Sequence, residues 1–284
     1  NSNESQQFSD GTNNLARSVT GNESDGINTT LSLDYKKKFN KKGRSMNVLG
    51  DFYYLNSDNE NTINTFRDVT LRTGSNILDT INQNQNQYID KLEFFGKVAF
   101  TEQLTKKSFL ITDYSYYNQN QDNNKDFFDV NTSGKETFNA LLSNSYTSDY
   151  NYHQLGLKYN YKLGKNMIVA GVDGQASRLQ GTTDENSPKI DQNFQVLLPN
   201  LSWQKLDGMA SRMGFSYTTS FNEPSISQLQ PVINNTNPLN ITTGNPNLKP
   251  EYSHNMSFNW FKYDAFKNKH TGFLNSLYSM LRHL

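Results

Sequence analysis

The side chains best suited to catalysis or metal binding are few and poorly placed for either. The 284-residue chain holds four histidines, His153, His254, His270 and His283, and no cysteine. Ser253 and His254 are the most suggestive pair, a nucleophile type beside a base type. Neighbours in an extended strand point to opposite faces, so these two cannot share a proton without a third element. Without thiols there is neither a disulfide framework nor a thiolate metal site. Two runs, Ser57-Asp58-Asn59-Glu60-Asn61 and Gln121-Asp122-Asn123-Asn124, carry oxygen ligands of the kind calcium takes. Neither has the spaced carboxylates and glycine of a dedicated calcium loop, and solvated surface accounts for both. No catalytic residue, metal or cofactor is expected.

Charge and hydropathy narrow the classes further. Lys and Arg total 27 and balance 27 Asp and Glu, so the chain has no basic field with which to bind nucleic acid. Mean hydropathy is -0.80. No run approaches the roughly 20 apolar residues of a membrane helix. Membrane strands stay open, because they hide alternating lipid-facing residues within a polar average.

That alternation is present. From Ile27 to Phe39, Ile27, Leu31, Leu33, Tyr35 and Phe39 share one face, with Asn28, Ser32 and Asp34 on the other. A tight turn at Asn40-Lys41-Lys42-Gly43 leads to Met46, Val48, Gly50, Phe52 and Tyr54, giving a hairpin. The plan repeats in Leu92, Phe94, Gly96, Val98 and Phe100 with Leu110, Tyr114 and Tyr116, and in Leu155, Leu157, Tyr159 and Tyr161 with Ile168, Ala170 and Val172. A fourth hairpin pairs the segment from Phe194 to Trp203 with Met213, Phe215 and Tyr217 across an Asp207-Gly208 turn, and Leu198-Pro199 reads as a bulge. Short turns alternate with long Asn-rich loops, expected at 56–87 and 118–148, so the short connections gather at one end of the sheet. Strands of about 12 to 15 residues exceed the soluble mode of about 5 to 6. They reach roughly 40 to 50 Å at about 3.3 Å per residue, enough to cross an apolar band of about 25 Å. A soluble sandwich also alternates, but its connections need not sort by length. The fold class expected is all-β, an antiparallel transmembrane β-barrel of which about ten strands are present. Asn28, Ser32, Asp34, Lys91, Glu93, Asp113, Lys158 and Asp173 then face the lumen.

One stretch, residues 221–251, interrupts this regularity. It holds five of the seven prolines, Pro224, Pro231, Pro238, Pro246 and Pro250, with Pro199 upstream, so no long ladder runs through it. A stiffened loop that keeps its shape without a core beneath it is expected. Its two segments, NEPSISQLQP and GNPNLKPE, comprise Asn222, Glu223, Pro224, Ser225, Gln228, Leu229 and Pro231, then Gly244, Asn245, Pro246, Leu248, Lys249, Pro250 and Glu251, with Asn237 and Pro238 between them. Together they resemble the long extracellular loop and following strand of the barrel domain in TonB-dependent outer-membrane receptors, especially the Bacteroidetes-type outer-membrane β-barrel proteins. Weaker likeness extends from DGINTTLSLDYKKKF through LPNLSW to SFNWF.

The resemblance implies a truncated barrel of the bacterial outer membrane, with short periplasmic turns and long extracellular loops. Its partners would be outer-membrane lipid, an extracellular small ligand or oligomer, and an inner-membrane energy-coupling complex acting through a plug that this chain lacks. A surface scaffold that binds partners through its loops is the other reading. The division expected is one partial barrel domain over residues 1–284: a loop at 1–25, four hairpins over 26–220, the proline-rich extracellular loop at 221–251, and a further strand with an incomplete hairpin over 252–284.

Period two fixes which residues meet lipid. Arg in place of Leu33, Val98 or Leu157 is expected to cost about 2 to 4 kcal/mol at mid-bilayer and to block assembly. Ser32, Lys97 and Lys158 on the other face are expected to tolerate substitution far better. Heat-modifiable migration of the folded barrel on gels reads the difference, and equal tolerance on both faces contradicts the barrel.

Overall fold

The computed structural model describes residues 2–7, 13–71, 73–182, 189–207, 211–229, 233–234, 242–245, 247–262 and 272–283. The strands are β1 (Ser2–Gln7), β2 (Asn13–Lys38), β3 (Ser45–Thr70), β4 (Asn76–Thr105), β5 (Ser108–Val130), β6 (Glu136–Phe138) and β7 (Asn144–Leu163). They continue as β8 (Asn166–Thr182), β9 (Ile190–Asp207), β10 (Ser211–Asn222), β11 (Ile233–Asn234), β12 (Thr242–Thr243), β13 (Glu251–Lys262) and β14 (Gly272–His283). A one-turn helix, α1 (Ile226–Leu229), follows β10. One 12-stranded antiparallel sheet runs in the order β1-β2-β3-β4-β5-β7-β8-β9-β10-β13-β14, with β6 on β5, and β11 pairs with β12 separately. Among the described residues β1 and β14 are its two edges, and the sheet does not close.

Register turns the period-two pattern into continuous faces, because residues directly opposite in an antiparallel pair project to the same side. One apolar row crosses seven strands as Tyr35, Val48, Val98, Tyr114, Leu155, Gly174 and Leu197. Another runs Leu110, Tyr159, Ala170, Leu201, Tyr217, Met256 and Tyr278. The opposite face carries Ile111, Lys158, Gly171, Asn200, Thr218, Asn255 and Ser279 in one row.

Burial then says which way the sheet curves. In β5, Tyr114 is 45% exposed while its neighbours Asp113 and Ser115 are 4% and 3% exposed. In β9, Leu197 is 67% exposed and Leu198 is 9% exposed. Side chains crowd on a concave face and splay on a convex one, so the polar face is the inner one. A water-soluble protein buries its apolar face instead. Apolar outside and polar inside is the arrangement of a sheet whose outer surface meets lipid. β14 departs from it, since Phe273, Leu277 and Leu281 share the inner side with Ser253 and Ser257 and are exposed.

At the short-turn end the hairpins are clamped. Gly43 takes φ 73° in the turn after Phe39, a left-handed conformation that a side chain would disfavour. Arg44 Nε donates to Glu102 Oε2 at 2.6 Å, Lys41 pairs with the same carboxylate, and Lys165 pairs with Asp207. The Arg44 bond first, then that of Lys41, holds the Glu102 carboxyl down to about 2 from its ordinary 4.5. Phe39 meets Phe100 edge-on at 6.1 Å between ring centroids.

Several expectations are corrected. The loops expected at 1–25, 56–87 and 118–148 are largely strand: β2 begins at Asn13, β3 runs on to Thr70, β4 starts at Asn76, β5 continues to Val130 and β7 starts at Asn144. Their Asn and Gln residues weaken the apolar signal, but the backbone ladder holds, with β3 and β4 paired from Ser45↔Thr101 to Thr70↔Asn76. β4, 30 residues long, spans roughly 100 Å at about 3.3 Å per residue. The outer end of the wall is therefore tall paired strands, closed by backbone hydrogen bonds from Leu71 N to Ser75 O and from Asn131 N to Lys135 O. No bulge occurs at Leu198-Pro199, since β8 and β9 stay in register through Val172↔Pro199. Pro199 is tolerated because β9 loses its other partner there: pairing with β10 ends at Thr218↔Asn200. The missing N–H therefore leaves no gap in that ladder. The segment expected as an incomplete hairpin pairs with β13 along its length, from Lys262↔Gly272 to Glu251↔His283. Gly208 of the expected turn, and His270, lie outside the described residues.

Lys97 and Lys158 also need correction as neutral controls for the inner face, because both pair with buried carboxylates. Ser32 serves that purpose better. For sidedness, an epitope inserted at Lys42 or Lys106 is expected to be hidden on intact cells, and one at Gly74 or Gly134 to be reached by antibody. The reverse labelling pattern contradicts the topology.

Candidate functional site

Midway along the inner face, four charges form a neutral array. Lys97 Nζ lies 2.7 Å from Asp113 Oδ1, and Lys158 Nζ bridges Asp113 Oδ2 at 3.5 Å and Asp173 Oδ1 at 3.2 Å. Asn200 Nδ2 donates to Asp173 Oδ2 at 3.3 Å. Gly156 stands between the two aspartates, and a Cβ there would come within 2.5 Å of Asp173 Oδ1 and 2.7 Å of Asp113 Oδ2. The glycine is what lets both carboxylates fold flat against the wall.

Nearer the outer end the inner face becomes aromatic and amide-rich. Tyr117 and Tyr152 stack at 5.4 Å between centroids, and Tyr150 stands 5.9 Å from Tyr117. The NQNQNQ tract sorts by period two, with Gln83 and Gln85 buried on the inner face and the asparagines on the outer one. Gln87 Nε2 reaches Asn123 Oδ1 on β5 at 3.4 Å.

The proline-rich segment folds onto this surface. Its ends meet in one ladder pair, Asn222↔Glu251, so the loop leaves and returns at a single point. Glu223 Oε1 accepts hydrogen bonds from Ser177 Oγ at 2.6 Å, Tyr150 Oη at 2.9 Å and Gln175 Nε2 at 3.2 Å, all from inner-face positions of β7 and β8. Ser225 caps α1: the Gln228 amide N donates to its Oγ at 3.3 Å, and Gln228 Oε1 accepts from the Ser225 amide at 2.9 Å. Ile226 and Leu229 are buried against Leu179, with Tyr146, Tyr150, Ile190, Phe194 and Leu248 packed around them. The Asn245 amide donates to the Gln228 carbonyl at 2.7 Å, and Asn245 Oδ1 accepts from the Asn247 amide at 3.0 Å. Pro224 and Pro250 are buried and Lys249 is exposed. The two motif segments are thus joined through Asn245 and Leu248, over a small apolar core that the sequence reading did not expect. Pro231, Asn237, Pro238 and Pro246 lie outside the described residues.

The docking partners Tyr150, Gln175, Ser177 and Leu179 were not singled out in sequence, since each is one ordinary alternating residue of a strand. The Ser225-x-x-Gln228 spacing was a readable helix signal. His153 and His254 sit on the convex face, with Nδ1 hydrogen-bonded to Tyr114 Oη at 2.7 Å and Tyr217 Oη at 2.9 Å. Ser253 is buried on the inner face, so it and His254 do not meet. The two acidic and amide runs lie in β3 and β5, where successive residues alternate faces.

A curved antiparallel sheet with an apolar exterior and a charged, hydrogen-bonded interior is the wall of a transmembrane β-barrel. The chain belongs to the outer membrane protein β-barrel family, whose model matches residues 37–280. That membership places it in the bacterial outer membrane. A search of curated protein sequences finds no match. Among solved structures it is similar to a double mutant of the Serratia marcescens hemophore receptor HasR in complex with hemophore HasA and heme (11% identity, TM-score 0.47, covering 94% of this chain and 44% of that one). It is also similar to the unliganded ferric citrate transporter FecA (11% identity, TM-score 0.42, 98% and 52%) and to the alcaligin receptor FauA of Bordetella pertussis (9% identity, TM-score 0.36, 98% and 50%). The chain spans about half the length of these proteins.

Glu223→Ala removes one acceptor from three donors, and a hydrogen bond to a charged group contributes about 1.5 to 3 kcal/mol. The variant is expected to keep its heat-modifiable barrel while residues 223–250 become markedly more sensitive to added protease. Glu223→Gln should be intermediate, and an unchanged cleavage rate in Glu223→Ala contradicts the latch.

Proposed function

We propose that this chain is the barrel wall of an outer-membrane receptor that takes up an extracellular ligand, energised through a plug domain by an inner-membrane complex. The observation that carries this reading is the motif segment latched on the inner face by Glu223, Ile226 and Leu229. A loop that serves only as an exterior surface has no need to fold inward. The polar lining supports the same reading, since the Lys97, Asp113, Lys158 and Asp173 array suits a water-filled or plug-filled interior.

A second reading, a scaffold that moves no solute, draws on the height of the paired strands β3 and β4, which project a stiff surface well beyond a band of about 25 Å. Solute depletion from the medium distinguishes the two. Cells carrying the complete gene are expected to deplete at least one solute faster than deletion cells, and a protonophore should abolish the difference. Identical depletion profiles favour the scaffold.

A further inference from the structure

Between β9 and β10 the ladder of the wall stops short. The two strands pair for eight rows and part beyond Thr218↔Asn200, while β9 stays on β8 up to Gly181↔Ile190 and β10 stays on β13 up to Asn222↔Glu251. The parting begins at membrane level. Pro199 lies in the row of Leu157 and Val172, and Leu197 in the row of Tyr114 and Leu155, both on the apolar outer face. We propose that this seam is a lateral doorway through the barrel wall, which admits the acyl chain of an amphiphile from the membrane. It stands apart from the uptake reading, since it concerns the wall and its lipid and not an extracellular ligand.

Side chains, not backbone, close the seam. A strand edge left bare in hydrocarbon exposes polar groups that need partners. Here the Pro199 carbonyl accepts from Thr219 Oγ1 at 2.9 Å, and the Leu197 carbonyl accepts from Tyr252 Oη at 2.8 Å. Proline at 199 brings no N–H to that edge. Phe194 and Phe221 then meet edge-on at 5.8 Å between ring centroids. By alternation Phe194 belongs to the inner face of β9, with Leu198, whereas Phe221 belongs to the outer face of β10, with Tyr217. Rings of opposite faces touch here because no ladder stands between them. A closure of two hydroxyls and one ring pair parts without breaking a ladder bond.

A cavity of about 470 Å³ adjoins the closure and draws on both faces of the wall. Lys158, Asp173 and Asn200 line it from the inner face, and Tyr217, Thr219 and Phe221 from outer-face positions. The volume is within the range of small-molecule sites. An amphiphile suits both ends. Its chain would lie against Leu198 and Phe221, out of water, and its polar head would meet the ion pair and amides of the lumen. A ligand polar throughout would carry unpaired groups to the lipid side, and a hydrocarbon would cover Asn200 and Thr218 without partners. A free fatty acid and a membrane phospholipid share the required chemistry, and the experiment separates them.

The test uses the complete protein in liposomes. One arm adds a diazirine-bearing palmitate to the medium, and the other carries the same group on a phosphatidylcholine within the bilayer. Illumination fixes the chain where it lies, mass spectrometry of peptides locates it, and heat-modifiable migration verifies folding of each variant. Leu157 and Leu201 on the convex face are expected to be labelled by bulk lipid in the phospholipid arm. Labelling of Leu198 and Thr218 on the inner face is the result expected of a doorway. Found with palmitate alone it identifies a free acid, and found in the phospholipid arm it identifies a membrane lipid. Tyr252→Phe, which uncaps the Leu197 carbonyl, should raise the inner labelling about twofold or more. The chain has no cysteine, so Phe194→Cys with Phe221→Cys gives this wall a single reactive pair. Bridging that pair with a short bifunctional thiol reagent should abolish inner labelling and leave convex labelling unchanged. Inner labelling that is absent from both arms, indifferent to Tyr252→Phe, or persistent after the bridge overturns the proposal.

Discussion

The backbone hydrogen-bond ladder is the constraint from which the rest follows. In hydrocarbon every N–H and C=O must find a protein partner, and extended chain manages that only against neighbouring strands. Here most consecutive strands pair along nearly their whole length, as in the 26-row ladder of β2 and β3 and the twelve rows of β13 and β14, while β9 and β10 part after eight rows. With the backbone satisfied, the side chains are free to divide between two solvents. The convex face carries Leu33, Val98, Leu157 and Leu201, and the concave face carries Asp113, Lys158 and Asp173.

Curvature makes the inner face crowded, and crowding has electrostatic consequences. Asp113 and Asp173 could not be buried singly without a large desolvation cost. Their pairing with Lys97 and Lys158, over the gap left by Gly156, spreads the charge along the wall in alternating sign. Toward the outer end the wall changes from ions to amides and tyrosines, and it is there that the motif segment docks. A buried apolar core is built at that point, from Leu179, Ile226 and Leu229. It lies inside the barrel, on the polar face, and fixes the segment through burial and the Glu223 hydrogen bonds together.

The strand plan was legible because period two survives in the membrane-level stretches, where one face must be apolar. Leu155, Leu157, Tyr159 and Tyr161 announce both a strand and its orientation. Outside that level no lipid selects apolar residues, so the same strands continue through Asn and Gln with no hydropathic signal. Residues 56–70 and 118–130 read as loop for that reason, yet their ladders run on. Proline at 199 suggested a bulge because composition cannot show that β10 has already parted from β9 at that position.

By itself the sequence determined the class of fold and which residues face outward, since alternation and strand length are local properties that only a sheet crossing an apolar layer satisfies. It also determined, through its motif spacing, that residues 222–251 form a distinctive unit. Tertiary structure alone decided what that unit touches. Tyr150, Gln175, Ser177 and Leu179 lie in two different strands, and they converge on Glu223, Ile226 and Leu229 only because register sets β7 beside β8 and curvature turns their polar face inward. Contacts between residues so far apart along the chain depend on register and curvature, which no local pattern encodes.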